Sequence, residues 1–422
     1  MTSMKDLLVK IAQSQKEESL ARPEPQQVPR DIEGAFRDSS DSPLIKVVIG
    51  PRRAGKSTLV HHVLNGVPHA HFNFEDDRLP AELETDALLS ALQTVWGKAE
   101  NQTYFFDEIQ NLARWEQFLH RIHRARKNIF ITGSNSRLLS KELATSLTGR
   151  YLSHTLLPFS WPESQRARSL MGHSSKQKPK VSKDTFYQYL IEGGFPDVVL
   201  KNADPSVYLS QLWGAVLSRD IGDRYKVRNI PALRALGELV LQSIGSRISG
   251  RSLQKALAHR LSNTTLENYL SYGEEAFLFH LLQKFEPSLA KQKKADRKPY
   301  AYDTGFIRSV RPSLVSASQG QLLENFVFLQ LIRDGAEPNG DLFYFQSPKH
   351  EEVDFIYLKP GRPPQVIQVC WTLRERTTYE REVRAILAAA KVFGVKEATI
   401  ITYDEDLMIH EGGVEIVVKK AY

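Results

Sequence analysis

VVIGPRRAGKSTLV, residues Val47 to Val60, decides how the first half of this sequence folds. An apolar run ends at Gly50, the pattern GxxxxGK[ST] follows in full as Gly50 to Ser57, and a helix-compatible run comes after it. Gly50 and Gly55 allow a tight backbone turn through Pro51, Arg52, Arg53 and Ala54. The loop N–H groups and the helix N-terminus, with Lys56, Ser57 and Thr58, then face a phosphate. The ligands expected from this pattern are ATP and Mg2+, with Lys56 reaching the β and γ oxygens and the Ser57 hydroxyl on the metal.

Outward from the loop, the short β-rich runs LIKVVI, AHFNF, TYFFDE, NIFITGS and YLSHTLL alternate with polar, helix-compatible segments from about Pro43 to Leu157. That alternation is the pattern of a parallel α/β sheet. TYFFDEIQN ends an apolar strand in two acids, where ligands of open α/β sheets bind. Asp107 is expected to hold Mg2+ through water and Glu108 to polarise the attacking water as general base, a solvated strand end being the plainer reading. NIFITGSNS ends another strand in Thr132, Ser134 and Asn135, polar groups suited to sensing a γ-phosphate or orienting water.

The order P-loop, FFDEIQ, ITGSNS, LTGRY resembles the AAA+ ATPases, and more narrowly a prokaryotic AAA+ family with a winged-helix region and a C-terminal PD-(D/E)xK nuclease-like domain of unknown function. The resemblance implies that Ser134 or Asn135 is sensor 1 and that Arg150 is the arginine finger offered to a neighbouring subunit. An intramolecular salt bridge is the alternative for Arg150. A permanently charged, forked guanidinium suits the finger role. The resemblance further implies a homo-oligomer, a hexameric ring, and a helical lid; a sensor 2 residue at Arg219 or Arg224 stays undecided.

Lys and Arg outnumber Asp and Glu by 56 to 49, a mild excess that favours polyanionic partners without requiring one. The single cysteine, Cys370, excludes an intramolecular disulfide and a multi-cysteine metal site and fits a reducing cytoplasm. No apolar run is long enough to span a membrane, and the N-terminal stretch MTSMKDLLVKIAQSQKEESL is amphipathic and charged rather than a signal peptide. We divide the chain into residues 1–40, a helix and tether expected to pack on something else; 41–157, the nucleotide-binding core; 158–228, a helical lid with a basic loop from Pro162 to Asp184; 229–295, a winged helix-turn-helix; and 296–422, the nuclease-like domain. The fold class is α/β throughout, apart from the helical lid and winged helix.

GRSLQKALAHRLSNTTLENYL has the outline of a helix-turn-helix, with the second helix capped by Thr264 or Thr265. Arg247, Arg251, Lys255, His259 and Arg260 gather around its first helix as phosphate contacts require, although such a module also serves for packing alone. Lys176, Lys178, Lys180 and Lys183 form a second basic stretch. In the C-terminal part, Glu324 and Asp354 fill the first two acidic positions of the nuclease-like core, while Gln368 and Cys370 stand where an active centre has Glu and Lys. An amide and a thiol supply neither a metal-binding carboxylate nor a stabilising cation, so this domain is expected to be inactive as a nuclease. Cys370 reads as a small buried hydrophobe. The favoured activity is ATP hydrolysis coupled to binding, remodelling or translocating DNA. The alternative is a nucleotide-controlled signalling or defence switch that acts on a protein partner.

Overall fold

A computed structural model of the chain describes residues 3–21, 28–136, 149–171, 182–201, 203–258, 261–310 and 318–422. The chain divides into two units, Met1–Lys176 with Glu275–Phe277, and Gln177–Glu274 with Leu278–Tyr422.

In chain order the first unit contains α1 (Met4–Ala21), α2 (Glu33–Asp38), β1 (Ile45–Ile49), α3 (Lys56–Val63), β2 (Ala70–Asn73), α4 (Thr85–Val95), β3 (Thr103–Asp107), α5 (Trp115–Arg124), β4 (Asn128–Gly133), β5 (Tyr151–Thr155) and α6 (Trp161–Met171). The five strands form one parallel sheet in the order β2-β3-β4-β1-β5. Every residue of β1 and β3 is buried, the character expected of parallel strands covered on both faces. Val48, Leu59, Val60, Val63, Phe105 and Phe130 form one apolar cluster that fixes α3 to the sheet. Ile131 of β4 pairs with Val47 on one side and Phe106 on the other, so β1, β4 and β3 end level with one another.

Two expectations change here. The N-terminal helix packs on its own unit: Leu8 and Ile11 are buried, the Asn73 N–H donates to Gln15 Oε1 at 2.9 Å, and Lys16 Nζ donates to the Val95 carbonyl at 2.9 Å. The stretch read as a basic loop from Pro162 begins instead as α6. Ser160 and Glu163 cap it reciprocally, with the Ser160 N–H on Glu163 Oε2 at 2.8 Å and the Glu163 N–H on Ser160 Oγ at 3.2 Å. Its buried residues are Trp161, Glu163, Ser164 and Ala167, with one large apolar side chain among them, too few to register as apolar periodicity. Lys176, Lys178 and Lys180 lie outside the described residues.

The second unit contains α7 (Lys183–Glu192), α8 (Pro196–Lys201) and α9 (Pro205–Ala215), the last running into a π-helical stretch, Val216–Asp223. Three helices follow, α10 (Ile230–Gln242), α11 (Gly250–Ala256) and α12 (Asn263–Glu275), and then an antiparallel hairpin of β6 (Phe279–Gln283) and β7 (Arg297–Ala301), whose connection carries the one-turn helix α13 (Leu289–Gln292). Ile248 bridges Arg297 and adds a third edge to the hairpin. The expected division at 295/296 therefore falls inside a hairpin connection. The cap of α12 is Ser262, whose Oγ accepts the Thr265 N–H at 3.1 Å, rather than a threonine.

Beyond the hairpin come α14 (Thr304–Ser309), α15 (Gln319–Arg333), β8 (Leu342–Gln346), β9 (Glu352–Tyr357), β10 (Gln365–Val369), α16 (Arg376–Phe393), β11 (Glu397–Thr402), β12 (Leu407–Glu411) and β13 (Val414–Lys420). The strands form a mixed sheet in the order β12-β13-β11-β10-β9-β8, with α16 crossing between the parallel strands β10 and β11. Val383, Ile386 and Ala390 of α16 pack on Val366, Ile400 and Ile416. Among the described residues no helix is long and apolar enough to cross a membrane.

Candidate nucleotide site

The loop after β1 is built around two glycines. A Cβ at Gly50 would lie 2.0 Å from the Leu156 carbonyl oxygen, so only glycine fits beside β5. Gly55 adopts φ 94 as the residue before α3, a left-handed turn that aims the first N–H groups of the helix into the loop. Lys56 is 4% exposed, and its Nζ donates to the carbonyl oxygens of Gly50 at 3.2 Å and Pro51 at 3.0 Å. Those bonds hold the ammonium inside the cradle. Arg52 pairs with Glu75, whereas Arg53, in the left-handed region, and Thr58 face solvent.

Because β4 lies between β1 and β3, its end connects the groups that the other two strands deliver. Ser57 Oγ donates to Asp107 Oδ1 at 2.8 Å, and Thr132 Oγ1 donates to the same oxygen. Burial, followed by the charge of Glu108, pushes the Asp107 carboxyl up to about 6, against the opposing effect of the Thr132 and Ser57 hydrogen bonds and Lys56. A hydroxyl and a carboxylate meeting edge to edge form a donor pair that fits Mg2+. Among the described residues no group of three or more His, Cys, Asp or Glu side chains is placed to hold a metal ion.

Glu108 takes a left-handed conformation at φ 51, strained for a residue with a side chain, that turns its carboxylate back over the loop. Its Oε1 is 3.5 Å from Lys56 Nζ, and its Oε2 accepts from Gln110 Nε2 at 2.5 Å and from the Ser134 N–H at 3.1 Å. Burial alone would push the Glu108 carboxyl up, but Lys56, Gln110, Ser134 and Arg52 outweigh it and hold the carboxyl below its ordinary value. Two adjacent acids are thereby driven in opposite directions. Ser134 and Asn135 are buried at the end of β4, and Gln110 Nε2 reaches Ser134 Oγ at 3.4 Å.

Arg150 stands apart from this cluster. The Ile45 N–H donates to its carbonyl at 2.9 Å, which places it at the N-terminal end of β5, whereas the loop follows the C-terminal end of β1. Five residues of strand separate the two levels, roughly 16 Å at the usual rise. The guanidinium is exposed and meets His120 Nδ1 at 3.1 Å.

Sequence reasoning missed Gln110, which was quoted in FFDEIQ without a role, and Arg30. Arg30 donates through Nη1 to the Ala54 carbonyl at 2.9 Å, through Nη2 to the Leu157 carbonyl at 2.6 Å and through Nε to Glu163 Oε1 at 2.9 Å. No signal marks an arginine in a proline-rich tether as a partner of a loop 24 residues away. In the second unit, Arg247 is not available as a phosphate contact: it pairs with Glu352 at 3.1 Å and donates to Gln346 at 2.8 Å. Arg251 and Lys255 face solvent on α11, and His259 and Arg260 lie outside the described residues. Lys183 pairs with Asp404. Glu324, Asp354 and Gln368 are buried around one cavity, with Cys370 beside them.

The family described as an AAA domain matches residues 42–165, and a domain of unknown function (DUF8612) matches residues 183–316. The chain is 34% identical over 381 residues to the uncharacterised protein MJ1544 of Methanocaldococcus jannaschii, covering 86% of this chain and 82% of that one. It is 27% identical over 351 residues to an uncharacterised protein of Haemophilus influenzae, covering 80% and 85%. Among solved structures, a Walker-type ATPase of Pyrococcus abyssi aligns with a TM-score of 0.48 at 16% identity, over 68% of this chain and 96% of that one.

Proposed function

The chain belongs to the family of the Methanocaldococcus jannaschii protein MJ1544, and we propose that within it this protein is an oligomeric AAA+ ATPase that couples ATP hydrolysis to the binding and remodelling or translocation of DNA. The observation that carries the reading is the meeting of Ser57, Asp107 and Thr132 on one side of the loop and of Lys56, Glu108 and Ser134 on the other. In this assignment the loop N–H groups and Lys56 bind the phosphates, and Ser57 with Asp107 holds Mg2+. The cation supplies charge neutralisation at the phosphate oxygens. Glu108, kept ionised and aimed by Gln110 and the Ser134 N–H, accepts the proton of the attacking water, with Ser134 and Asn135 orienting that water. Arg150 serves the site of a neighbouring subunit, and a hexameric ring is the assembly proposed.

The DNA part of the reading rests on the second unit. The succession of helices α10 to α12 and the β6–β7 hairpin supports reading this region as a winged helix-turn-helix. Arg251 and Lys255 on α11, and Lys291, Lys293 and Lys294 in the hairpin connection, face solvent. Cations spread over a helix and a wing suit a phosphate backbone.

Glu108→Gln tests the hydrolytic assignment: ATP binding persists and turnover falls to background, as retained turnover would remove Glu108 from its role. The coupling is tested by ATPase rates with duplex, single-stranded and branched DNA over a range of salt concentrations. Stimulation that weakens with salt is expected. No stimulation by any DNA points instead to the switch acting on a protein partner.

A further inference from the structure

A buried lysine in the second unit closes a ring of carboxylates that the nucleotide site does not use. Lys298 lies in β7, where its pairing with Leu282 of β6 fixes the backbone, and it is 1% exposed. Its Nζ is 2.7 Å from Glu324 Oε1 on α15, 2.8 Å from Asp354 Oδ1 on β9 and 3.1 Å from Glu352 Oε1 at the start of β9. Further bonds reach the same three carboxylates: Tyr300 OH donates to Glu324 Oε1 at 2.6 Å, the Val369 N–H donates to Asp354 Oδ2 at 3.0 Å, and Arg247 Nε is 3.1 Å from Glu352 Oε2. A cavity of about 740 Å3 lies beside the cluster, lined among others by Lys298, Glu324, Asp354, Gln368 and Glu382.

The strand β10 contributes no charge to this centre. Gln368 Oε1 accepts the Asp354 N–H at 3.0 Å, and its Nε2 donates to Glu382 Oε2 at 2.7 Å, so the amide serves as a bridge between β9 and α16. Burial pushes the Cys370 thiol far up, which removes it as an anion. The acids facing Lys298 therefore come from α15 and β9 only. Burial and the neighbouring Asp354 raise the Glu324 carboxyl to about 8, and Asp354, Glu324 and Glu352 together hold the lysine well above its ordinary value despite its own burial.

Carboxylates this close cannot stay buried and ionised without a cation among them. An ammonium meets that need with one charge and three donors at ordinary hydrogen-bond lengths, which is the geometry found. A divalent ion such as Mg2+ needs oxygens at about 2.0–2.1 Å and several more ligands. It also cannot share the seat with a fixed positive charge.

We propose that the Lys298 ammonium is the resident cation of this centre, seated where a hydrolytic site built from these carboxylates would bind a divalent metal ion. The cavity is therefore metal-independent and non-hydrolytic, and a chain that lacks the ammonium acquires a divalent-cation site. The proposal stands apart from the ATPase reading, since no residue of the first unit enters it.

The test is Mn2+ binding by the nucleotide-free full chain, followed by loss of the free-ion EPR signal. Wild type and Glu324→Gln are expected to bind the same number of ions. Lys298→Met is expected to bind one more Mn2+ per chain than wild type, to lose it again in the Lys298→Met, Asp354→Asn double variant, and to gain several degrees in Tm with Mn2+ where wild type gains none. Wild type binding one more ion than Glu324→Gln overturns the proposal, as does a folded Lys298→Met that takes up no extra ion. If Lys298→Met does not fold without metal, refolding on addition of Mn2+ supports the proposal. If it folds under neither condition, the comparison of wild type with Glu324→Gln decides.

Discussion

Asp107 and Glu108 are neighbours in the chain, the first buried and the second nearly so, yet one carboxyl is raised to about 6 and the other held low. The difference follows from the backbone turn between them, which leaves Asp107 facing hydroxyls and Glu108 facing the Lys56 ammonium. A carboxyl raised in the fold contributes stability that is fully present below its ordinary value of 3.8 and is lost as pH rises through about 6. Mg2+ binding asks for the opposite, ionised form. Metal-dependent ATP affinity should therefore fall by about tenfold per pH unit below 6 through this group alone. Titrations of wild type and Asp107→Asn between pH 5 and 8 check this, because the phosphate titration of the nucleotide is common to both. Identical pH profiles would remove Asp107 from the metal site. Gly50, Lys56, Ser57, Asp107 and Glu108 were legible in the sequence because spacing along one loop or one strand end is enough to bring them together. Gln110 and Lys298 were not, since their roles depend on a turn after β3 and on a hairpin that returns β7 to α15 and β9.

At the level of elements, the tether after α1 works as a strap. Arg30 joins the Ala54 carbonyl of the phosphate loop to the Leu157 carbonyl and to Glu163 on α6, and its guanidinium lies 4.8 Å from the Phe159 ring. Glu163 also accepts the Asp31 N–H at 2.7 Å, so the strap is fastened from both sides. Arg30→Ala leaves the buried Glu163 without its cation and should cost about 3–5 kcal/mol, seen as a lower Tm, together with weaker ATP binding by a folded chain. Arg30→Lys should recover little, because an ammonium cannot reach three acceptors in a plane. A variant with unchanged Tm and ATP affinity would show that the strap does not support the loop. The strands of the parallel sheet were readable because each is a short, wholly apolar run between turns. Helix α6 was missed because Trp161 is the one large apolar side chain among its buried residues, the others being Glu163, Ser164 and Ala167, although Ser160 and Glu163 spelled a capping box. The hairpin β6–β7 was missed because the division at 295/296 was drawn inside its charged connection, which carries Lys291, Lys293, Lys294 and Asp296.

At the scale of the whole molecule the governing feature is the position of Arg150, at the opposite end of the sheet from the loop of its own chain. In the proposed ring it completes the neighbouring site, and Arg150→Ala is expected to slow turnover by about 10³- to 10⁵-fold while ATP binding stays close to wild type. Mixing that variant with Lys56→Ala should restore part of the activity, since a mixed pair contains one intact loop facing one intact finger. Absence of any restoration in steady-state ATPase assays would assign Arg150 a role within its own chain or none.

The location of that arginine also has a consequence for how the protein behaves on dilution. If Arg150 serves a neighbouring subunit as proposed, a chain whose own sheet keeps finger and cradle at opposite ends holds only half of each working centre, and its rate per molecule is set by how often it meets its own kind. In that arrangement specific activity should rise with protein concentration until assembly is complete, and ATPase rates measured over a dilution series check it; a rate per molecule independent of concentration would count against the shared centre.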